Sequence, residues 1–231
     1  LWYCYYIDFL NAEKRLTAVK KYDCVLFDMD GTLVESESIY LQLWVEVLAK
    51  HGFQVEVDAL AKMKGRDAQT NNQLIAEIIQ NKAPVQALRK EREQLVNEAI
   101  DTGRIHLKKG MQELLTFLRT DGYNLGVATM SSKKRAEHIL KSNGVRDYFA
   151  ELVTVETVKH PKPAPDIYLN ALKSPLFNEK TALALEDTTL GCQAALAAGI
   201  PVILISAAKK KLAQTFQCQD GFGVIDFLRQ S

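Results

Sequence analysis

The 231-residue sequence lacks a strong charge of either sign. Its 29 basic residues face 28 acidic ones, which leaves a formal net charge of +1 at pH 7. A protein that binds nucleic acid or an anionic membrane through surface charge needs a basic excess, so we expect neither partner. The sequence also has no run of about 18 apolar residues, which excludes a transmembrane helix.

Cysteine is scarce and forms no metal-binding pattern. The four cysteines, at positions 4, 24, 192 and 218, include no C-x-x-C pair, and such scattered cysteines are typical of free thiols in a reducing compartment. We therefore expect a cytoplasmic protein. The G-x-x-x-x-G-K-[ST] loop and the G-x-S-x-G motif are also absent, so neither a P-loop nucleotide hydrolase nor a serine hydrolase is supported.

Residues 1–20 have no clear counterpart among targeting signals. Their apolar start is interrupted by Asp8, no basic residue precedes it, and no small-residue cleavage site follows, as a signal peptide would require. We interpret residues 1–20 as an N-terminal extension of uncertain role, with a helix over 11–19.

The chemistry of the sequence is concentrated in the stretch from Cys24 to Leu33. An apolar run, Val25 to Phe27, ends in Asp28 and Asp30, and Gly31 follows. This pattern predicts a buried strand that delivers two carboxylates to a loop, and the glycine permits a sharp exit. Neighbouring like charges raise each other's pKa unless a cation or a shared proton compensates. A divalent metal is the simplest compensation.

The rest of the sequence divides into a helical block and an alternating α/β segment. Apolar residues at helical spacing, with no strand pattern, extend from 36 to 104, and the charged run 89–93 fits a solvated helix face. Beyond this block, helices alternate with short apolar strands, which predicts right-handed crossovers and a mostly parallel sheet. We predict an α/β fold: a Rossmann-like, doubly wound sheet formed by 21–35 and 105–231, with 36–104 inserted as a helical-bundle cap domain.

Polar residues follow four of the predicted strands, at the edge where parallel sheets bind ligands. They are Asp28, Asp30, Thr129, Ser131, His160, Lys162, Glu186 and Asp187. Carboxylates without a His or Cys cluster form a hard oxygen site that suits Mg²⁺. Mg²⁺ beside a lysine and a hydroxyl indicates a phosphate ligand, and a carboxylate can attack phosphorus to form an aspartyl-phosphate.

Each of these residues alone also fits an ordinary structural role. An aspartate at a strand end can form a turn or cap a helix, and acids before Thr188 fit a helix N-terminus. Lys162, between two prolines, could be a solvated loop residue, and His160 fits a surface histidine. However, the residues that follow four separate strands are together the types that one reaction needs. This combination favours the functional interpretation.

Four motifs, in combination and order, resemble those of the haloacid dehalogenase-like superfamily of phosphotransferases, from about Tyr22 to the C-terminus. The motifs are Asp28-Met29-Asp30-Gly31-Thr32, Val127-Ala128-Thr129, Lys162-Pro163-Ala164-Pro165-Asp166 and Leu185-Glu186-Asp187-Thr188. Pro161 stands where a glycine often precedes the lysine, and Thr188 stands where serine is commoner. Neither departure removes a reacting group.

The resemblance implies roles for the acids. Asp28 would be the nucleophile and a metal ligand. Asp30 would protonate the leaving oxygen and then deprotonate the attacking water, while its backbone carbonyl binds Mg²⁺. Asp187 would bind the metal directly, and Glu186 would bind it through water.

The resemblance also implies how the substrate is held. Thr129 and the amide of Met130 would bind phosphoryl oxygens, and Lys162 would neutralise them beside the nucleophile. The helical block resembles a small cap that closes over the site and excludes water. Within the cap, Lys64 and Arg66 are candidates for substrate specificity, although an exposed arginine is equally ordinary.

The function expected from the resemblance is a Mg²⁺-dependent phosphatase that acts on a small phosphorylated metabolite, such as a sugar phosphate. Asp30 favours this over a dehalogenase, which needs no acid there. A β-phosphoglucomutase-like mutase is the alternative, but Tyr40 and Ala68 stand where such mutases carry histidine and arginine. A non-enzymatic phospho-accepting or binding module is a further alternative, disfavoured by Asp30 and the cap. We expect a monomer or a weak homo-oligomer.

Overall fold

The described part of the chain contains eight strands, most of them in one sheet. The computed structural model describes residues 20–63, 66, 68–208, 212–213 and 215–231. The N-terminal extension up to residue 19 and the candidate Lys64 lie outside these residues. The strands are β1 (Cys24–Phe27), β2 (Val34–Glu35), β3 (His106–Leu107), β4 (Asn124–Ala128), β5 (Glu151–Val153), β6 (Ala182–Glu186), β7 (Val202–Ile205) and β8 (Thr215–Cys218).

Eight α-helices accompany the strands within the described residues. They are α1 (Glu37–Lys50), α2 (Ala68–Ile78), α3 (Val85–Asp101), α4 (Met111–Thr120), α5 (Lys133–Ser142), α6 (Asp166–Ala171), α7 (Thr189–Ala197) and α8 (Gly221–Arg229). A 3₁₀ helix, Val57–Met63, lies between α1 and α2. None of the described helices combines the length and apolar character that crossing a membrane requires.

Six strands form a parallel sheet in the spatial order β5-β4-β1-β6-β7-β8. Alternate residues of a strand point to opposite faces, and β1 is buried on both. Val25 and Phe27 belong to a core that includes apolar residues of α4, α5 and α8. Cys24 and Leu26 belong to a second core with residues of α6 and α7. The predicted α/β, doubly wound, mostly parallel sheet is therefore confirmed.

The helical segment from α1 to α3 leaves and rejoins the core through one short antiparallel pair. In this pair β2 faces β3, with Val34 opposite Leu107 and Glu35 opposite His106. The segment has a core of its own around Trp44, Leu60, Ile75 and Leu88. Parts of α1 and α3 also pack on the sheet-side core, through Leu43, Val96, Ala99 and Ile100. The division into a core and a cap of residues 36–104 stays a proposal.

Several predicted elements agree closely with the structure. The alternation of helices and short apolar strands predicted beyond residue 104 is found, for example in the helix Lys133–Ser142 and the strand Val202–Ile205. Strand β8 and helix α8 were not predicted, and neither was the β2–β3 pair. A strand of two residues is too short to show an alternating pattern.

Candidate active site

The predicted acids and the lysine meet at the carboxyl end of the sheet. Asp28 directly follows β1, Thr129 follows β4, and Asp187 follows β6, of which Glu186 is the last residue. These three strands are adjacent in the sheet, so residues far apart in sequence share one edge. Lys162 reaches this edge from the loop before α6.

Lys162 joins two of the acids in a buried network. Its ammonium donates to Asp28 Oδ1 at 2.7 Å and to Glu186 Oε1 at 2.6 Å, and to the carbonyl oxygen of Ala128 at 3.2 Å. The Tyr168 hydroxyl donates to the same Glu186 oxygen at 2.7 Å. The Lys162 side chain is 4% exposed and that of Glu186 is 1% exposed, so water screens these charges little.

The network places one cation among several carboxylates. Burial lowers the pKa of Lys162, but the negative charges of Asp28 and Glu186 outweigh burial and raise it above its ordinary value. Lys162 is therefore a permanent cation. Burial, and then the charge of Glu186, raise the pKa of Asp28 well above its ordinary value, although Lys162 opposes this. The site thus holds more negative charge than its lysine neutralises.

Asp28, Glu186 and Asp187 could hold a metal ion. Each offers a carboxylate oxygen, and these atoms lie within 4.8 Å of one another. Burial, together with the negative charges of Glu37 and Glu186, raises the pKa of Asp187 to about 7. A close, all-oxygen donor set with mutual repulsion, in which Asp28 and Glu186 are buried and Asp187 is partly exposed, fits a hard divalent cation such as Mg²⁺.

Two glycines allow these carboxylates to lie so close to the backbone. A Cβ on Gly31, whose φ is +84°, would lie 2.2 Å from Asp187 Oδ2. A Cβ on Gly191, in the first turn of α7, would lie 2.0 Å from the carboxyl carbon of Glu186. Real side chains essentially never show such contacts, so a side chain at either position would force the neighbouring carboxylate to move.

The Asp30 carboxylate is held by two serines. Ser36 Oγ donates to Asp30 Oδ1 and Ser131 Oγ donates to Oδ2, both at 2.7 Å. Ser131 follows a predicted strand and was a sequence candidate, whereas Ser36 was missed. Ser36 occupies the N-cap position of α1, but its side chain makes no capping hydrogen bond.

The predicted phosphate-binding residues line the same cavity. Thr129, Met130 and Lys162 border a space of about 250 Å³ together with Asp28 and Asp30. Thr129 is 1% exposed, and its hydroxyl oxygen accepts a hydrogen bond of 3.0 Å from the amide of Ser131. The Thr129 hydroxyl proton is therefore still available to a ligand. His160 lies apart on the surface, where its Nδ1 is 3.1 Å from Asp166 Oδ2.

The cavity also contains four arginines, two of which the sequence interpretation placed on a solvated helix face. Arg89 and Arg92 of α3 line it, as do the exposed Arg66 and, from α5, Arg135. The interpretation of 89–93 as a solvated face is wrong for Arg92, which is only 4% exposed. Arg92 lies four residues after Leu88 and four before Val96, so helical periodicity puts it on the buried stripe. That spacing was the signal that could have revealed it.

Comparison with known proteins agrees with this geometry. The sequence model of the family described as haloacid dehalogenase-like hydrolase matches residues 25–205. The chain belongs to the haloacid dehalogenase-like hydrolases. The resemblance on which the sequence interpretation relied is thereby confirmed.

Two relatives of this haloacid dehalogenase-like hydrolase are named as phosphatases. The chain is 30% identical over 185 residues to fructose-1-phosphate phosphatase YqaB of Escherichia coli, which covers 80% of this chain and 96% of the relative. It is 26% identical over 182 residues to the phosphorylated carbohydrates phosphatase of Thermotoga maritima, which covers 77% of this chain and 82% of that protein.

A solved structure shows the same fold. The structure of CbbY from Rhodobacter sphaeroides in complex with phosphate superimposes with a TM-score of 0.72 at 24% identity. The superposition covers 87% of this chain and 95% of CbbY. It supports the arrangement of sheet and helices described above.

Proposed function

We propose that the protein is a Mg²⁺-dependent phosphatase that hydrolyses a small phosphorylated metabolite through an aspartyl-phosphate on Asp28. The observation that carries the proposal is the buried contact of Lys162 with Asp28 and Glu186 beside Asp187. A nucleophilic carboxylate, a fixed cation and further acids for a metal are together what transfer of a phosphoryl group requires. The two relatives named as phosphatases agree with it.

The first half-reaction forms a bond between a carboxylate oxygen of Asp28 and phosphorus. The bond from phosphorus to the leaving oxygen breaks, and Asp30 as a carboxylic acid donates its proton to that oxygen. Lys162 and Thr129, with the Met130 amide, bind the phosphoryl oxygens and stabilise their charge. Asp30 is suited to its role because Ser36 and Ser131 fix both of its oxygens.

The second half-reaction releases phosphate and restores the enzyme. A water molecule attacks phosphorus, Asp30 as a carboxylate accepts the proton of that water, and the bond between phosphorus and Asp28 breaks. Asp28, Glu186 and Asp187 would hold Mg²⁺, whose positive charge would keep these carboxylates ionised and offset the charge of the phosphoryl group. The backbone carbonyl of Asp30 is a further proposed ligand.

The proposed substrate is a phosphorylated carbohydrate or a metabolite of similar size. A cavity of about 250 Å³ is smaller than most drug-sized ligand pockets, which favours a compact substrate. We also propose a cytoplasmic location, in keeping with the lack of a disulfide among the described cysteines. A mutase activity is disfavoured by Tyr40, a partly buried residue that stands where such mutases carry histidine.

The proposal is tested by phosphate release from a panel of phosphorylated metabolites and from p-nitrophenyl phosphate. We expect turnover with Mg²⁺, none with EDTA, and a loss of about three orders of magnitude or more in kcat for Asp28→Asn. Unchanged hydrolysis by a folded Asp28→Asn protein would refute the nucleophile. Isomerisation of β-glucose 1-phosphate without phosphate release would favour a mutase.

A further inference from the structure

Lys162 uses all of its hydrogen-bond donors within the protein. A lysine ammonium has three N–H donors and no acceptor. The three donors of Lys162 go to Asp28 Oδ1 at 2.7 Å, to Glu186 Oε1 at 2.6 Å and to the carbonyl oxygen of Ala128 at 3.2 Å. A phosphoryl oxygen of the substrate therefore has to replace one of these three acceptors before Lys162 can donate to it.

The carboxylate of Glu186 is an acceptor that Lys162 can release without leaving its oxygen unpaired. The Tyr168 hydroxyl donates to the same oxygen, Oε1, at 2.7 Å, and that bond remains when the lysine turns away. Asp28 is the proposed nucleophile, so Lys162 has to stay beside it to reach the phosphorus. The carbonyl of Ala128 belongs to a fully buried residue, and its release would take a donor from a group that water does not reach.

Glu186 depends on Tyr168 once Lys162 has turned toward a phosphoryl group. Glu186 is 1% exposed, so water cannot replace a lost protein donor. Among the described residues, its other oxygen, Oε2, meets only the Thr188 hydroxyl, at 3.5 Å, which is longer than an ordinary hydrogen bond between oxygens. The Tyr168 hydroxyl is thus the contact that keeps the Glu186 carboxylate in place.

Burial and position suit Tyr168 to this role. It belongs to α6, is 0% exposed and packs in the second core of the sheet. Burial, and then the charge of Glu186, raise the pKa of Tyr168 well above its ordinary value, so its hydroxyl stays a donor at physiological pH. Its ring centre lies 5.3 Å from the ammonium of Lys162, within the range of a cation–π contact. Tyr168 therefore contacts both members of the pair that has to separate.

We propose that Tyr168 is a positioning residue, whose hydroxyl holds Glu186 Oε1 while Lys162 transfers one hydrogen bond from Glu186 to the phosphoryl group of the substrate. Only a hydrogen bond changes partner: no covalent bond forms or breaks, and Lys162 keeps all of its protons. The inference rests on the proposed phosphatase function and adds a residue to its binding step. Tyr168 lies two residues beyond the third motif, and the sequence interpretation gave it no role.

The first test removes the Tyr168 hydroxyl and keeps its ring. In Tyr168→Phe we expect inorganic phosphate, with Mg²⁺, to bind about tenfold more weakly in calorimetry, because Lys162 can no longer leave Glu186 without exposing a bare buried carboxylate. The kcat/KM for p-nitrophenyl phosphate should fall by a similar factor, the effect of about one lost hydrogen bond. Tyr148→Phe is the matched control, since the Tyr148 hydroxyl accepts a hydrogen bond of 3.1 Å from Gln112 outside the cavity. It should bind phosphate as the wild type does.

The second test asks whether the effect of Tyr168 requires the lysine. Lys162→Met removes the ammonium that has to change partners, so adding Tyr168→Phe to it should leave the affinity for phosphate unchanged within about twofold. A tenfold loss in both backgrounds would show that the hydroxyl supports packing and not the exchange, and it would overturn the inference. Circular dichroism checks that each variant is folded. If Lys162→Met does not fold, the affinities of Tyr168→Phe and Tyr148→Phe decide alone.

Equal phosphate affinities and equal kcat/KM values for Tyr168→Phe and Tyr148→Phe would overturn the inference, because Lys162 would then reach the phosphoryl group without releasing Glu186. Hydrolysis of p-nitrophenyl phosphate by the wild type would in that case leave the phosphatase proposal intact. A wild type that neither binds phosphate nor hydrolyses any phosphomonoester would refute the proposed function, and this inference with it.

Discussion

Two hydroxyl groups from different parts of the chain fix the Asp30 carboxylate. Ser36 precedes α1 and Ser131 precedes α5, and each donates one hydrogen bond of 2.7 Å. Hydrogen bonds to charged groups are worth about 1.5–3 kcal/mol. A proton-transferring group also has to be held within a narrow range of positions, so we propose that the two serines position Asp30 for its proposed role.

We therefore expect Ser36→Ala to reduce kcat by about tenfold, because the carboxylate of Asp30 loses one of its two fixed partners. The KM for p-nitrophenyl phosphate should change much less. Ser38→Ala is the control, since the Ser38 hydroxyl donates instead to Glu35, at 3.0 Å. Equal kcat values for the two variants would show that Ser36 does not position Asp30.

The buried carboxylate of Asp187 should make the metal-free protein less stable as pH rises. Its pKa is raised from 3.8 to about 7 in the folded state, chiefly by burial. The folded protein thus holds this proton more tightly than the unfolded chain does, and the resulting stabilisation is complete below about pH 4. It is lost progressively as pH rises to about 7, which costs up to about 4 kcal/mol.

Asp187→Asn should therefore be more stable than the wild type in EDTA at pH 8, and the difference should shrink toward pH 4. Urea unfolding followed by circular dichroism measures both free energies of unfolding. With Mg²⁺ present the order should reverse, because only the wild type retains the carboxylate ligand. A wild type that is the more stable protein in EDTA at pH 8 would contradict the assignment.

At the scale of secondary structure, helix α7 begins in close contact with the site. Its N-cap, Thr188, accepts a hydrogen bond of 3.0 Å from the amide of Gly191. That first turn lies directly against the Glu186 carboxylate, where no Cβ fits. The helix start therefore determines how closely Glu186 can approach Lys162.

Gly191→Ala tests this packing. Alanine is favoured over glycine within helices by about 1 kcal/mol, but here we expect a lower free energy of unfolding and a loss of activity, because Glu186 has to move. Gly223→Ala in the first turn of α8 is the control, since its Cβ would meet Cys218 Cβ at 3.3 Å. If the Gly191→Ala protein were as stable and as active as the Gly223→Ala protein, the Glu186 carboxylate could move without loss of stability or activity.

The elements also show what the sequence could and could not predict. Apolar runs such as Val202–Ile205 predict buried parallel strands, because helices cover both faces of the sheet. The charged run on α3 was misread as a solvated face, although the spacing of Arg92 from Leu88 and Val96 already places it on the buried stripe of that helix. The motif residues Asp28, Lys162 and Asp187 could be predicted to converge, since they follow neighbouring strands. The contacts of Ser36 with Asp30 and of Arg92 with Tyr40 could not be predicted, because they depend on how the helical segment packs.

At the scale of the whole molecule, the cavity is formed by both the sheet edge and the helical segment. A ligand that binds there contacts both and should stabilise the folded chain. We expect inorganic phosphate with Mg²⁺ to raise the melting temperature by about 5 °C or more at a hundredfold excess over its dissociation constant, which corresponds to about 2.7 kcal/mol.

Phosphate with EDTA is the control for this measurement. It should raise the melting temperature much less, because Asp28, Glu186 and Asp187 repel an anion when no cation is bound. Equal shifts with Mg²⁺ and with EDTA would indicate that phosphate binds elsewhere or independently of the acids.

The antiparallel pair of β2 and β3 has an evolutionary consequence. The chain enters the helical segment through β2 and leaves it through β3, and these two strands pair with Val34 opposite Leu107. The intervening residues are therefore, topologically, one long hairpin loop, and loops of this kind tolerate insertion and exchange without changing the order of the sheet. The whole segment that carries Arg89 and Arg92 can thus be exchanged during evolution without a change in the sheet. A new substrate range can arise in this way while Asp28 and Lys162 stay where the sheet holds them.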